Sequence, residues 1–170
     1  ETGATWTVHT SYAAVPFRIE TNKIRVDDTG QSCIYASGTP SGTNYEVEAV
    51  LSEVTAATAT LGLCARIDTA ANTFYHVRWD QSNVRWELFK FVAGAATSLG
   101  TYVGGDPTGT PRTVILRMTD AAKEVYVDGV LQITSADNAI TANGRVGMRG
   151  SSSTSSTGFR IDDFKAYDLV

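Results

Sequence analysis

Between Phe74 and Asp80 the chain reads FYHVRWD: three aromatics, a histidine, an arginine and an aspartate in seven positions. Residues of similar chemistry lie nearby. Arg66 sits in LGLCARID, Arg85 and Glu87 in RWELFKF, and Glu46 and Glu48 alternate in YEVEAVLSE. Such residues serve two chemistries. One is recognition of hydroxyl-rich ligands, in which guanidinium groups are fixed donors and carboxylates fixed acceptors. The other is acid–base or nucleophilic catalysis, which needs a defined donor, acceptor and nucleophile within reach of one bond. Sequence evidence for the second is thin. Glu46 and Glu48 stand about 7 Å apart on one strand face by the rise per residue, with no aspartate between them. The chain holds no Gly-x-Ser-x-Gly, no His-Glu-x-x-His and no glycine-rich phosphate loop. His9, in TVHTS, has no evident partner, and nothing locates a serine for a triad built on His76. The expectation is a non-catalytic protein.

The elements that must position these residues read as strands. Short runs rich in Val, Ile, Thr, Tyr and Phe recur along the chain, from FRIE to GFRIDDFKAYDL, separated by Gly, Pro, Asn, Asp and Ser clusters. Many short, evenly spaced strands predict an all-β antiparallel β-sandwich or jelly roll. VDGV (127–130) carries the Asp-Gly pair of a tight hairpin, and the serine run Ser151–Ser156 reads as a surface loop. Alternation sorts the faces. Tyr45, Val47, Ala49 and Leu51 oppose Glu46 and Glu48; Leu61, Leu63, Ala65 and Ile67 oppose Gly62, Cys64 and Arg66; Tyr75, Val77 and Trp79 oppose Phe74, His76, Arg78 and Asp80. A turn at DQSN would pair Val77 with Trp86 and His76 with Glu87, gathering Tyr75, Val77, Trp79, Trp86 and Leu88 into one core wall. The other side would then collect Glu46, Glu48, Arg66, His76, Arg78, Arg85 and Glu87, with Phe74 and Phe89 interleaved and room above Gly62. That side is expected to be a polar platform for sugar hydroxyls; the plainer reading is a solvated face of cross-strand ion pairs worth about 0.2–1 kcal/mol each.

Composition bounds the partners. With 170 residues and a net charge of −4, a single domain over 4–170 is expected, with Glu1–Gly3 read as residues left by expression and no nucleic-acid partner, which would require a basic face. No apolar run reaches membrane-spanning length, and no secretory signal is read in these residues, as expected if one had been cut away. Cys33 and Cys64 read as small buried side chains, which a disulfide would join only if their strands were neighbours. The absence of an Asn-x-Ser/Thr sequon favours a bacterial or viral source.

The ordered pattern LGLCARID, NTFYHVRWD, RWELFKF, TSLGTY, VILRMTD, KEVYVDGVLQ and GFRIDDFKAYDL, spanning Phe17 to Leu169, resembles the concanavalin A-like lectin/glucanase superfamily, and within it the laminin-G-like jelly rolls of bacteria and phages. The resemblance implies two curved antiparallel sheets, a face that binds carbohydrate and, in some relatives, a structural calcium ion held by an aspartate of the last strand. Asp162 matches that position, with Asp163 beside it, and Asp27 and Asp28 are candidates by type for the remaining ligands. Glucanases of this fold carry a Glu-x-Asp-x-Glu run, which is absent here. The expected function is therefore a lectin-like module for a polysaccharide or surface glycan, extracellular or at a cell surface. The alternatives are a virion structural domain (head decoration, fibre or tail) contacting other virion proteins, and a glycoside hydrolase.

Overall fold

Alternation of apolar and polar side chains gives each strand one face to bury, and two sheets meet on those faces. The computed structural model describes residues 5–12, 17–20, 23–26, 30–53, 60–152 and 159–169. Asp27, Asp28 and most of the serine run lie outside the described residues. The strands are β1 (Trp6–Val8), β2 (Phe17–Glu20), β3 (Lys23–Val26), β4 (Gly30–Ala36), β5 (Tyr45–Glu53), β6 (Thr60–Asp68), β7 (Thr73–Asp80), β8 (Arg85–Val92), β9 (Ala95–Tyr102), β10 (Arg112–Met118), β11 (Lys123–Val127), β12 (Val130–Ser135), β13 (Arg145–Ser152) and β14 (Phe159–Asp168). One 3-10 turn spans Thr10–Tyr12. The first sheet runs β1-β4-β13-β6-β7-β8-β9, and the second β12-β11-β10-β5-β14-β3-β2. Every pairing in both is antiparallel.

The core lies between the sheets. Leu61, Leu63, Tyr75, Val77, Trp79, Trp86 and Leu88 face Tyr45, Val47, Leu51, Val114, Leu116 and Val125 across it, all buried. Trp79 and Trp86 meet edge to face, with ring centroids 5.3 Å apart. The expected core wall is thus present. So is the hairpin at Asp128-Gly129: both residues have positive φ (51° and 78°), and Val127 pairs with Val130, as a type I′ turn demands.

Two details differ from the sequence reading. The β7–β8 register is displaced by two residues, pairing Val77 with Leu88, Arg78 with Glu87 and Trp79 with Trp86. The connection is a four-residue loop, Gln81–Val84, between the paired Asp80 and Arg85. Asp80 Oδ1 accepts from the Asn83 amide and Val84 closes the loop at φ 51°. A two-residue displacement leaves every side chain on its expected face, so burial does not penalise it. The second difference is a bulge. Arg66 has φ 52°, and the ladder to β7 shifts between Ala65 and Asp68. Alternation breaks there: Ile67 joins Cys64 and Phe74 in a cluster separate from the main core instead of following Leu61, Leu63 and Ala65. A bulge re-aims side chains in this way.

Candidate functional site

The residues selected from sequence separate into three places. Arg78, Arg85 and Glu87 do lie together on the outer face of the first sheet, because Arg78 and Glu87 are cross-strand partners. Glu87 is buried and uses both oxygens. Oε2 accepts from Arg78 Nε (2.9 Å) and Nη2 (2.7 Å), and Oε1 from Arg85 Nε (2.9 Å) and Nη2 (2.5 Å). Asp80 accepts from both nitrogens of Asn83 and from Arg78 Nη2; burial would push its carboxyl up, but the Asn83 bonds and the Arg78 charge hold it below its ordinary value. The Arg78 guanidinium lies 4.8 Å over the Phe89 ring. This patch satisfies itself and leaves few acceptors or donors for a ligand.

Beside it the face closes over. Phe74 is fully buried and stacks on Phe91 at 4.7 Å, in a cluster with Tyr12, Cys33, Cys64 and Ile67. Its ring is therefore not offered to a sugar. His76 is fully buried too: Nδ1 lies 3.1 Å from Leu63 O and 3.4 Å from Cys64 Sγ, and Nε2 has no partner among the described residues. Burial, then the charges of Arg149 and Arg78, hold its imidazole well below the ordinary 6.5. The expectation of an open polar platform is corrected here, because the Thr10–Tyr12 turn packs on this face and supplies an apolar cover. Gly62 does not clear space for a ligand either, since a Cβ there would overlap the Val77 carbonyl oxygen.

Glu46 and Glu48 stand elsewhere, on the outer face of the second sheet. Glu46 pairs with Arg117, whose Nη1 donates to Tyr126 Oη at 2.8 Å; Glu48 accepts from Tyr167 Oη at 3.1 Å and pairs with Lys165 at 3.5 Å. The single polar face drawn from sequence is thus two faces on opposite sides of the sandwich.

Arg66 occupies a third place. The bulge turns its buried side chain to the end of the sandwich, where Nη1 donates to Ile140 O (2.5 Å) and Nη2 to Thr43 O (3.0 Å), while its amide donates to Tyr45 Oη (2.8 Å). Its Nε has no partner among the described residues. Here the segments 37–44, 68–73 and 136–145 converge on a groove of about 430 Å³. Its walls include Arg66, Asp68, Thr73, Ile140, Asn143 and Arg145, with three further threonines and no aromatic. The walls are held by long-range bonds. Asn143 Nδ2 donates to Pro40 O at 2.6 Å, Arg145 to Ser37 O, and the Tyr75 hydroxyl to Asp137 Oδ1 at 2.7 Å. Asp137 also pairs with Lys90. Burial would raise its carboxyl, but the Lys90 and Tyr75 bonds outweigh that and keep it below its ordinary value. Gly144 is required by close approach, since a Cβ would sit 2.6 Å from the Arg66 carbonyl carbon. Asp68 is exposed; among the described residues only its Oδ1 is used, by the amides of Ala70 (2.8 Å) and Ala71 (3.2 Å).

Asp68, Asn143 and Arg145 were not selected from sequence. No local signal marked them: Asp68 and Arg145 stand at strand ends, and the connection 136–144 that holds Asn143 is short of the length at which loops become suggestive of function.

Cys33 and Cys64 are buried free thiols. Their strands, β4 and β6, are separated by β13, yet the two side chains meet in one cluster, and burial followed by the contact with Cys33 holds the Cys64 thiol well above its ordinary pKa. Asp162 pairs with Val50, and the bulge of β14 follows it at Asp163 and Phe164; Asp162 Oδ1 accepts the Asp163 amide at 2.9 Å, and Asp163 has φ 51°. Calcium takes six to eight oxygens, and no group of three His, Cys, Asp or Glu suited to a metal occurs among the described residues. The residues described do not fit a calcium cage. Among the described residues no helix is long and apolar enough to cross a membrane.

No protein-family model matches the chain, and neither does any curated protein. Solved structures do. The carbohydrate-binding module CBM66 from Bacillus subtilis superposes with a TM-score of 0.81 at 17% identity, covering 98% of each chain. The exoplasmic/lumenal domain of VIP36, in its Ca2+/Man3GlcNAc-bound form, gives 0.69 at 10% identity over 97% of this chain and 84% of that one. The Bacillus licheniformis beta-glucanase gives 0.69 at 12% identity over 100% of this chain and 94% of that one. At these identities the likeness establishes the fold: the chain is a concanavalin A-like sandwich.

Proposed function

We propose that the protein is a carbohydrate-binding module that holds a glycan, without cleaving it, in the groove at the end of the sandwich. The observation that carries this reading is the groove itself: a concave site whose wall side chains are hydroxyls, an amide, a carboxylate and guanidinium groups, on a fold shared across its whole length with a carbohydrate-binding module. Of the residues picked from sequence, Arg66 belongs to this site. Its role is to fix the wall, since both its Nη atoms hold backbone carbonyls of the flanking loops. Asp68 is the wall residue best placed to accept from sugar hydroxyls, because its second oxygen is not taken up by the turn. Fold alone does not imply function, so the beta-glucanase among the similar structures calls for its own comparison. Glycoside hydrolysis uses two carboxylates flanking the bond, whereas Asp68 is the single carboxylate lining this groove among the described residues.

Glycan-array screening tests the reading, with the wild type beside Thr141→Trp, which fills the groove from an exposed position. Retention of a neutral or acidic glycan by the wild type, lost in the variant, is the expected result. Silence across the array would overturn carbohydrate binding. Release of reducing sugar would replace it with the hydrolase.

A further inference from the structure

His9 follows β1 and is fully buried, and both nitrogens of its ring are engaged. Nδ1 accepts the Ser11 amide at 3.2 Å. An amide N–H only donates, so the ring hydrogen sits on Nε2. That hydrogen is shared between two carbonyl oxygens, Asp68 O at 2.9 Å and Ala71 O at 3.0 Å. Both belong to the 68–73 wall of the groove. Tyr12 adds a second tie to that wall, its Oη donating to Asn72 Oδ1 at 2.8 Å. The imidazole stands edge-on to Tyr12, Tyr35 and Phe74, with ring centroids 5.8, 6.3 and 6.5 Å away, and the His9 amide donates to Cys33 O at 2.8 Å. The same segment braces the other wall. The Ser37 amide donates to Thr5 O at 2.9 Å and the Thr5 amide to Ser37 Oγ at 3.2 Å, while Ser37 O accepts from Arg145.

We propose that His9 is a positioning residue of the groove: it fixes the backbone of the 68–73 turn and so sets where the Asp68 carboxylate stands against a bound glycan. The identity of the ligand rests on the carbohydrate-binding reading, while the hold on Asp68 stands on geometry alone. Asp68 is gripped at two points. His9 takes its carbonyl oxygen, and the amides of Ala70 and Ala71 take Oδ1. With both fixed, Oδ2 is held in one direction before a ligand arrives, which spares the ordering cost at binding. Packing does not do this work. None of Asp68 to Thr73 is buried, and none belongs to either core cluster. A buried donor reaching in from another part of the chain replaces the missing side-chain contacts and holds the turn from behind.

Amide exchange without any ligand tests the hold, because turn amides exchange by local opening and report separately from the core. In His9→Asn the side-chain oxygen can still accept from Ser11, but the side chain is too short to reach the turn. The amides of Ala70, Ala71 and Thr73 should then exchange about fivefold faster than in the wild type, the worth of one net hydrogen bond. In His9→Gln the terminal NH2 reaches as far as Nε2 does, and exchange should return to within about twofold of wild type. Tyr12→Phe keeps its ring and loses only the tie to Asn72, so it tests the same wall with the packing intact and should fall between the two. Retention on the glycan array should follow the same order, with a loss of about tenfold in His9→Asn and little in His9→Gln. Exchange unchanged in His9→Asn and Tyr12→Phe, exchange raised equally in His9→Asn and His9→Gln, or equal array retention by those two would overturn the proposal. A wild type silent on the array, with exchange in the expected order, would overturn the carbohydrate reading and leave the hold on Asp68 standing.

Discussion

The outer face of β7 and β8 and the groove at the end of the sandwich draw on the same polar residue types, but one has spent its hydrogen bonds and the other has not. On the sheet face, Glu87 takes four donors from two guanidinium groups and Asp80 is filled by Asn83 and Arg78. In the groove, Asp68 keeps an oxygen in reserve and the exposed Thr141 faces solvent. Regular strands place opposite charges directly across from each other at about 5 Å, where they pair. Converging loops face one another across a space instead, and the space is what a ligand can enter. Density of charge in a sequence therefore marks where pairing is easy as readily as where binding occurs.

The largest effect that tests this contrast is on stability. Glu87→Ala should cost about 2–3 kcal/mol, less than breaking a fully buried pair because both arginines reach solvent, and should leave glycan retention unchanged. Chemical denaturation and affinity electrophoresis read the two quantities; a tenfold loss of retention would return the site to the sheet face. Next is the converse. Asp68→Ala should weaken binding by about 1–3 kcal/mol, as expected for a hydrogen bond to a charged group, with a smaller loss of stability. Calorimetric titration checks it, and Arg78→Ala in the same titration should bind within about twofold of wild type.

A pH dependence separates the two regions further. The His76 imidazole is held low by burial and by Arg149 and Arg78, so the unfolded chain takes up its proton first. Stability present above the ordinary 6.5 should then be lost as pH falls from there toward the folded value. Melting curves for His76→Gln should lose that slope and keep the later acid loss below 3.8 that follows from the lowered Asp80 and Asp137 carboxyls. The smallest expected effect is that of chelation. With no third acidic ligand beside Asp162 and Asp163 among the described residues, removal of divalent ions should leave the melting temperature unchanged. A fall of several degrees would indicate a cation bound only to the native state and would direct attention to Asp27 and Asp28.

How far the sequence reaches can be judged residue by residue. Trp79 and Trp86 share a core wall because period-two alternation is a local property, and Asp128-Gly129 makes its hairpin because those two residues tolerate positive φ. Such features were legible. The β7–β8 register was not, because a displacement of two residues preserves every face and alternation cannot sense it. Arg66 was legible as a candidate but not as a wall of the groove, since its positive φ is imposed by the bulge between β6 and β7. The burial of Phe74 depends on Tyr12, some 60 residues earlier, packing against it, and His76 is enclosed with the Phe74 and Phe91 rings beside it. Asp68, Asn143 and Arg145 meet only because loops from three parts of the chain close on one end. The sequence by itself determined strands, faces and the identity of the core, all set by neighbours within a few positions. Tertiary structure alone decided which polar side chains were consumed by partners and which were left facing a cavity, because that depends on distances between segments that no local pattern encodes.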